Sequence, residues 1–284
     1  MPPAPGARHG QRQEPFEPPS AWHTGVVGGR VVAARVKGAL EIHGDATTVR
    51  GHLRLADPFD RIRARLSSDP ALAPSIAAYP GLRLTKNDPW ETLVNFLTSM
   101  AKSVREIEHC TERLAASFGP PIEKATSIRA FPPAERLARA PEARLRTLTG
   151  MGFRARYVSA AARAVARGDV DLSALERATY EEAVESLQAL DGVGRKVADC
   201  VALYGLGRLE AFPVDTHVRR VVERRFFGGR KRRDEEVVAW AQERWGTMAG
   251  YAQQWLFHAE RLSRAGGRIV DSTRPPERAS PRAV

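Results

Sequence analysis

The sequence predicts an α+β protein, in which a small N-terminal antiparallel β domain precedes a mainly α-helical domain. Short β-prone runs separated by glycine are confined to the first part of the chain, whereas apolar residues recur at three- and four-residue spacing from about residue 88 onward. A length of 284 residues suits one large domain or two smaller ones. The predicted units are a flexible segment at 1–20, the β domain with covering helices at 21–82, the helical domain at 83–263 and a flexible basic tail at 264–284.

The β domain is predicted from residues with high strand propensity. The β-prone runs are residues 26–27, 30–36, 39–42 and 47–55, and glycines separate them. Residues 57–66 and 74–79 have the pattern of short helices that could cover one face of the sheet.

The net charge indicates the class of binding partner, and the cysteine content indicates the cellular compartment. Lysine and arginine total 44 against 33 acidic residues, a net charge of +11, which favours a polyanionic partner, although many basic proteins bind no nucleic acid specifically. Two cysteines are too few for a disulfide framework, an iron–sulfur cluster or a four-cysteine zinc site. The first ten residues lack the apolar core of a secretion signal, and no apolar run is long enough for a membrane span. We therefore expect a soluble protein, cytoplasmic with the nucleoid in a prokaryote or nuclear in a eukaryote.

The helical part begins at Asp88, which suits an N-cap before Pro89. Apolar residues then recur at helical spacing as far as Phe118, and a glycine followed by two prolines stops the chain, so this stripe is predicted to be core. One or two helices follow at 132–148, and another starts at Phe153, directly after a glycine.

Residues 180–204 are predicted to form a helix-hairpin-helix. An amphipathic helix ends at about Leu190, Gly192 and Gly194 flank Val193 in a tight turn, and helical spacing resumes at once. Such a turn leaves backbone N–H groups free to bind an anion, which suits a nucleic-acid phosphate.

Three residues within and after the hairpin are candidates for chemistry. Lys196 and Cys200 lie one helical turn apart, and Asp215 follows in a Pro-Val-Asp-Thr-His sequence, where a helix N-cap is expected. Only six of the 44 basic residues are lysine, so a lysine at 196 is informative, since its amine can lose a proton and attack carbon, whereas arginine cannot. Each residue also has an ordinary role: a solvated lysine, a small core residue and a helix cap.

The order of these residues resembles the helix-hairpin-helix DNA glycosylases, and the presence of both lysine and cysteine resembles the 8-oxoguanine DNA glycosylase/AP lyase branch. The resemblance runs from about residue 86 to 263. It implies that the enzyme flips an oxidised purine out of the duplex, that Lys196 attacks the sugar C1′ and a β-elimination follows, and that Asp215 assists the lysine.

The resemblance also implies further site residues. Those that contact the flipped base are Gln253, Phe257, Cys200 and Gly10, and those that contact DNA are Phe153, Arg154, Gly192, Val193, Gly194, His217 and Lys102. Phe153 and Phe257 could instead belong to the core. Two departures from the family pattern stand out. Only Gly10-Gln11 remains of the strand whose glycine carbonyl contacts the base, and Ala101-Lys102-Ser103 replaces the consecutive asparagines that, in the eukaryotic-type relatives, fill the gap left by the flipped base.

The implied partner is double-stranded DNA that contains a damaged base, bound by a monomer. No metal or cofactor is expected in catalysis, although a monovalent or divalent cation could bind at the hairpin backbone. Two alternatives stay open: a glycosylase for another base, such as an alkylated purine or mismatched thymine, and a non-catalytic helix-hairpin-helix DNA-binding protein. The second needs neither Asp215 nor the base pocket, and relatives that form no covalent intermediate lack the lysine.

Overall fold

The computed structural model describes residues 22–37, 39–99, 102–122 and 128–264. Its N-terminal part is a three-stranded antiparallel sheet in the order β1 (His23–Val27), β2 (Arg30–Lys37) and β3 (Ala39–His43). Gly28 and Gly29 make the β1–β2 turn with φ angles of 56° and 72°, which a glycine adopts without steric cost. The predicted small antiparallel sheet is therefore confirmed.

The described residues also form fourteen α-helices and two 3₁₀ turns, and the mainly helical character predicted after the sheet is confirmed. The helices are α1 (Ala46–His52), α2 (Phe59–Ser67), α3 (Ala73–Ala78), α4 (Pro89–Thr98), α5 (Val104–Phe118), α6 (Ala134–Ala138), α7 (Glu142–Thr149), α8 (Ala155–Arg167), α9 (Leu172–Leu175), α10 (Tyr180–Gln188), α11 (Arg195–Tyr204), α12 (Thr216–Phe226), α13 (Asp234–Trp245) and α14 (Ala249–Arg264). The 3₁₀ turns are Gly152–Arg154 and Gly246–Met248.

The expected strand at 47–55 is wrong, because that segment contains α1. Asp45 is the N-cap, and its carboxylate accepts hydrogen bonds from the backbone N–H groups of Thr47 at 3.0 Å and Thr48 at 3.2 Å. These two hydrogen bonds stabilise the first turn of the helix. Their contribution outweighs the preference of the threonines and the valine for a strand.

The helices α2 and α3 do not cover the sheet as expected. The Phe59 ring of α2 lies 6.1 Å from the ring of Tyr251 and 6.0 Å from that of Trp255, both on α14. Helix α3 also packs against α14, whereas α1 is the helix that contacts β1 and β3. The helical core therefore takes in residues that precede the predicted boundary at 82.

The long apolar stripe after Asp88 is divided between two helices. Helix α4 starts at the predicted N-cap, whose side chain accepts a hydrogen bond from the Glu91 backbone N–H, and it ends at Thr98. Helix α5 begins again with a capping box, in which Ser103 and Glu106 satisfy each other's backbone N–H groups. Val104 is exposed as a result and does not belong to the core.

Helix α11 is the centre of the helical domain. Its residues 197–204 are all buried, and it packs against α4 on one side and α10 on the other. The hairpin predicted at 180–204 is therefore present, and Lys196 is the second residue of its second helix. None of the helices in the described ranges is both long and apolar enough to cross a membrane.

Candidate active site

Lys196 lies at the start of α11, between a ring and a thiol. Its Nζ is 4.8 Å from the centre of the Phe96 ring on α4, and the buried Cys200 thiol follows one turn later on the same helix. Burial raises the pKa of Cys200 to about 12, the positive charge of Lys196 opposes that rise, and the negative charges of Asp199 and Asp215 add to it. Because the thiol stays protonated at neutral pH, it does not compete with the amine as a nucleophile.

Asp215 is the N-cap of α12. Its Oδ1 accepts hydrogen bonds from the backbone N–H groups of His217 at 2.9 Å and Val218 at 2.7 Å, which fixes the carboxylate. Its charge raises the pKa values of both Cys200 and Tyr204, which share one face of α11 with Lys196. The capping role and a role beside the lysine are compatible, since Oδ2 accepts no hydrogen bond from the described residues.

Gln253 and Phe257 lie one turn apart on α14. The Gln253 amide is buried and donates from Nε2 to the Pro213 carbonyl at 3.1 Å. The Phe257 ring meets the His217 ring edge-on, with 5.8 Å between centroids. The Phe257 ring and the Gln253 amide therefore lie on the same face of α14.

Sequence reasoning missed Tyr204 and treated Phe96 as ordinary core. The two rings stack with 5.9 Å between centroids and 19° between planes, and the Tyr204 hydroxyl donates to Gln254 Oε1 at 2.8 Å. The same hydroxyl oxygen lies 3.5 Å from Gln253 Oε1. These rings form a continuous wall from Lys196 to the Gln253 amide. The spacing 196, 200, 204 on one helix face is the signal that could have revealed Tyr204.

A second group of predicted residues surrounds the turn before α8. The Phe153 side chain is 55% exposed, so it is not a core residue, and the guanidinium carbon of Arg154 lies 4.6 Å from its ring centre. Lys102, in the loop before α5, donates from Nζ to the Gly150 carbonyl at 2.9 Å. This contact joins the loop before α5 to the turn that carries the exposed aromatic ring.

The hairpin turn lies against the same region through Tyr157. Gly192 has φ +84°, and a Cβ added there would lie 2.6 Å from the Tyr157 ring. The Tyr157 ring also meets Phe153 edge-on at 6.3 Å. Val193 is buried, whereas Gly194 is exposed and is the N-cap of α11, with no side-chain hydrogen bond to the first turn. The uncapped N–H groups at the start of α11 can therefore bind an anion.

The structure thus brings the predicted residues together in two neighbouring groups. The inner group is Lys196, Cys200, Asp215, His217, Gln253 and Phe257, and the outer group is Lys102, Phe153, Arg154, Gly192, Val193 and Gly194. Gly10 lies outside the described residues. Within those residues, no group of three or more histidine, cysteine, aspartate or glutamate side chains could hold a metal ion.

This arrangement of hairpin, lysine and capping aspartate has a counterpart among known proteins. Residues 96–247 match the sequence model of the HhH-GPD superfamily of base excision DNA repair proteins. The chain belongs to this family. The match starts at the ring beneath Lys196 and includes both helices of the hairpin, Asp215 and α13, so the HhH-GPD region contains the inner group apart from the α14 residues.

The HhH-GPD chain is similar in sequence to proteins that are named as enzymes. It is 32% identical over 215 residues to the N-glycosylase/DNA lyase of Saccharomyces cerevisiae, an alignment that covers 63% of this chain and 57% of the yeast protein. The chain spans about half the length of the curated relatives that it matches.

Two solved structures are similar to the fold of this HhH-GPD chain. The structure of MBOgg1 with a low-affinity DNA ligand is 32% identical, with a TM-score of 0.81 and coverage of 91% of this chain and 89% of that one. The 8-oxoguanine glycosylase/lyase of Clostridium acetobutylicum, in complex with duplex DNA that has cytosine opposite 8-oxoguanine, is 26% identical, with a TM-score of 0.82 and the same coverage of both chains.

Proposed function

We propose that the protein is a bifunctional DNA glycosylase and AP lyase that excises 8-oxoguanine from duplex DNA. The observation that carries the proposal is the position of Lys196, whose Nζ lies over the Phe96 ring at one end of a wall that leads through Tyr204 to Gln253. Asp215 is fixed by its cap, and its charge and that of Lys196 both act on the Cys200 thiol. The similarity to proteins named as N-glycosylase/DNA lyase and 8-oxoguanine glycosylase/lyase supports the same reaction.

The proposed chemistry begins with the flipped nucleotide. The Lys196 amine forms a bond to C1′ with its lone pair while the bond from C1′ to N9 breaks, and the base leaves with that electron pair and then takes up, from Asp215, the proton that the amine has lost. Asp215 accepts the proton that the amine loses and stabilises the positive charge on the sugar. The sugar ring then opens to an iminium, loss of a C2′ proton expels the 3′ phosphate, and water releases the lysine.

The inner and outer groups of side chains have different roles in base flipping. Phe153 is exposed at the start of a helix and suits insertion into the gap, where an aromatic ring replaces lost base stacking. The uncapped N–H groups at the start of α11 bind a phosphate. Gln253 and Phe257 receive the base through an amide edge and an aromatic face.

A glycosylase for another base is the second candidate, because the pocket's amide could pair with more than one purine edge. Such an enzyme would still use Lys196 if it forms a covalent intermediate. Duplex DNA is the proposed partner in either case, the protein acts as a monomer, and it works where genomic DNA is found. The reaction requires no cofactor, and a cation at the hairpin backbone would serve DNA binding alone.

The test is single-turnover excision from matched duplexes that differ in one base. We expect release of 8-oxoguanine, followed by cleavage on the 3′ side of the lesion, and no release from the duplex with guanine at the same place. Preferred release of 3-methyladenine would favour the second candidate. Tight binding without release of any base would contradict both.

A further inference from the structure

A closed cluster of three side chains joins the two helices of the hairpin. The Tyr180 hydroxyl, at the start of α10, donates to Oδ1 of Asp199 on α11 at 2.5 Å. Arg195 donates from Nε to Asp199 Oδ2 at 3.1 Å and from Nη2 to the Tyr180 hydroxyl oxygen at 2.8 Å. Each side chain therefore contacts the other two, and the carboxylate at the centre is fully buried.

The cluster lies at the place where α11 lacks a cap of its own. Gly194 has no side chain to bind the first turn, and Arg195 is the first helical residue, directly before Lys196. Helix α10 starts with a complete capping box of Thr179 and Glu182, so its first residue, Tyr180, is held firmly. Because Tyr180 is fixed at the start of α10 and bonds to Arg195 and Asp199, the cluster holds the start of α11 in place relative to α10.

We propose that Tyr180, Arg195 and Asp199 form a clasp that positions the hairpin amides and the Lys196 backbone for DNA. This role deepens the proposed function and rests on Lys196 as the nucleophile. The three are positioning residues, because their side chains bond to one another and act on DNA only through the backbone that they hold.

The clasp changes the expected role of Arg195. An arginine in a DNA-binding hairpin would ordinarily be assigned to a phosphate. Here its Nε and Nη2 are both engaged inside the protein, and its side chain is 25% exposed. Its charge offsets the buried Asp199 carboxylate, which would be costly if left unpaired. Arg195 therefore contributes to the hairpin's shape rather than to the count of phosphate contacts.

The first test compares two buried tyrosines that each donate to an aspartate. Tyr251 donates to Asp57 at 2.7 Å, away from the hairpin, and is the matched control for Tyr180. We expect Tyr180→Phe and Tyr251→Phe to lower the melting temperature by similar amounts. Only Tyr180→Phe should slow single-turnover excision at saturating enzyme, by about tenfold, since the lost bond is to a charged group. Equal rates in the two variants would overturn the proposal.

Hydrogen exchange at residues 192–197 reports on the clasp without requiring activity. These amides should exchange faster in Tyr180→Phe than in wild type, and Arg195→Lys, which keeps the charge, should restore part of the protection relative to Arg195→Gln. Unchanged exchange in Tyr180→Phe would overturn the clasp even if the enzyme excises 8-oxoguanine normally. A wild-type protein that excises no base would overturn the proposed function, while this measurement would still test the clasp.

The second test uses a variant without net change in charge. Arg195→Gln combined with Asp199→Asn removes both charges and leaves neither one buried alone. If Arg195 belongs to the clasp, the slope of log affinity against log salt for undamaged duplex should match wild type, while affinity falls at every salt concentration. A slope smaller by about 0.9 would identify a lost phosphate contact and contradict the proposal.

Discussion

The Cβ that Gly192 lacks would lie 2.6 Å from the ring of Tyr157, so the tightest point of the hairpin is packed directly against α8. Gly192 also has φ +84°, whereas Gly194 has an ordinary φ of −84° and no atom within 4 Å of its missing Cβ. The backbone conformation and the packing of the turn therefore require a glycine at 192, whereas neither requires one at 194.

Gly192→Ala should destabilise the protein. Backbone strain and displacement of the Tyr157 ring should lower the free energy of unfolding by at least about 2 kcal/mol. Gly194→Ala is the matched control and should cost less than about 1 kcal/mol. Denaturant unfolding of both variants checks this. Equal stability of the two would contradict the assigned role of the ring contact.

Gly194→Ala should instead weaken the binding of DNA. If a phosphate approaches the uncapped start of α11, a methyl group at 194 will obstruct it although the free protein has room for it. We expect weaker binding to undamaged duplex with little change in stability. Wild-type affinity would show that DNA does not approach this turn.

Asp215→Asn should separate the capping role of this residue from its chemical role. Asparagine is as good an N-cap as aspartate, so the melting temperature should change little. The excision rate should fall by several orders of magnitude, because the transition-state electrostatics are lost, while DNA binding is kept. Single-turnover kinetics with a binding assay measure both, and a near-normal rate would remove Asp215 from the reaction.

The pH dependence of stability should reflect Asp199. Burial raises its pKa to about 6, although the bonds from Tyr180 and Arg195 oppose the rise, and the Asp234 charge adds to it. In the unfolded chain its pKa is near 4. Between these values the folded protein holds a proton that the unfolded chain has released, so this group's contribution to the free energy of unfolding falls as pH rises and is constant above pH 6.

Asp199→Asn removes this proton exchange. The free energy of unfolding of wild type, measured relative to the variant, should therefore fall by roughly 2 to 3 kcal/mol between about pH 4 and pH 6. Denaturant titrations at several pH values provide the measurement. A constant difference across that window would show that the buried carboxyl does not titrate there.

Discrimination of the opposite base should be weak. The sequence has Ala101 where the resemblance to eukaryotic-type 8-oxoguanine glycosylases implies an asparagine, and Ser103 already donates its hydroxyl to Glu106 at 2.7 Å. Lys102 is bonded to the Gly150 carbonyl. We expect Arg154 to contact the cytosine, and one such contact supplies roughly 1 to 3 kcal/mol. We expect excision of 8-oxoguanine opposite all four bases, with cytosine favoured by less than about a hundredfold. Excision confined to cytosine would contradict this.

The sequence predicted the elements whose signal is local. The α10–α11 hairpin followed from glycine spacing and apolar periodicity, and the start of α4 followed from Asp88 and Pro89. Helix α1 was missed because its threonines and valine favour a strand on propensity alone, whereas Asp45 caps a helix. Counting the cap as well as the propensity would have corrected that prediction.

The candidate site was predictable only where it follows one helix face or one motif. Lys196 and Cys200 are linked by spacing, but the stacking of Phe96 on Tyr204 joins residues 108 positions apart and depends on how α4 packs against α11. The clasp was missed for the same reason. Spacing places Arg195 and Asp199 on one face, yet it does not show that the Tyr180 hydroxyl reaches the same carboxylate from another helix.

Trapping with borohydride tests the central claim, that Lys196 attacks the sugar, most directly. Wild-type protein mixed with a duplex that contains one 8-oxoguanine should form a stable covalent complex when the iminium is reduced. Lys86→Gln, a control lysine paired with Glu176 outside the site, should form the same complex, and Lys196→Gln should form none. Undiminished trapping by Lys196→Gln would contradict the account.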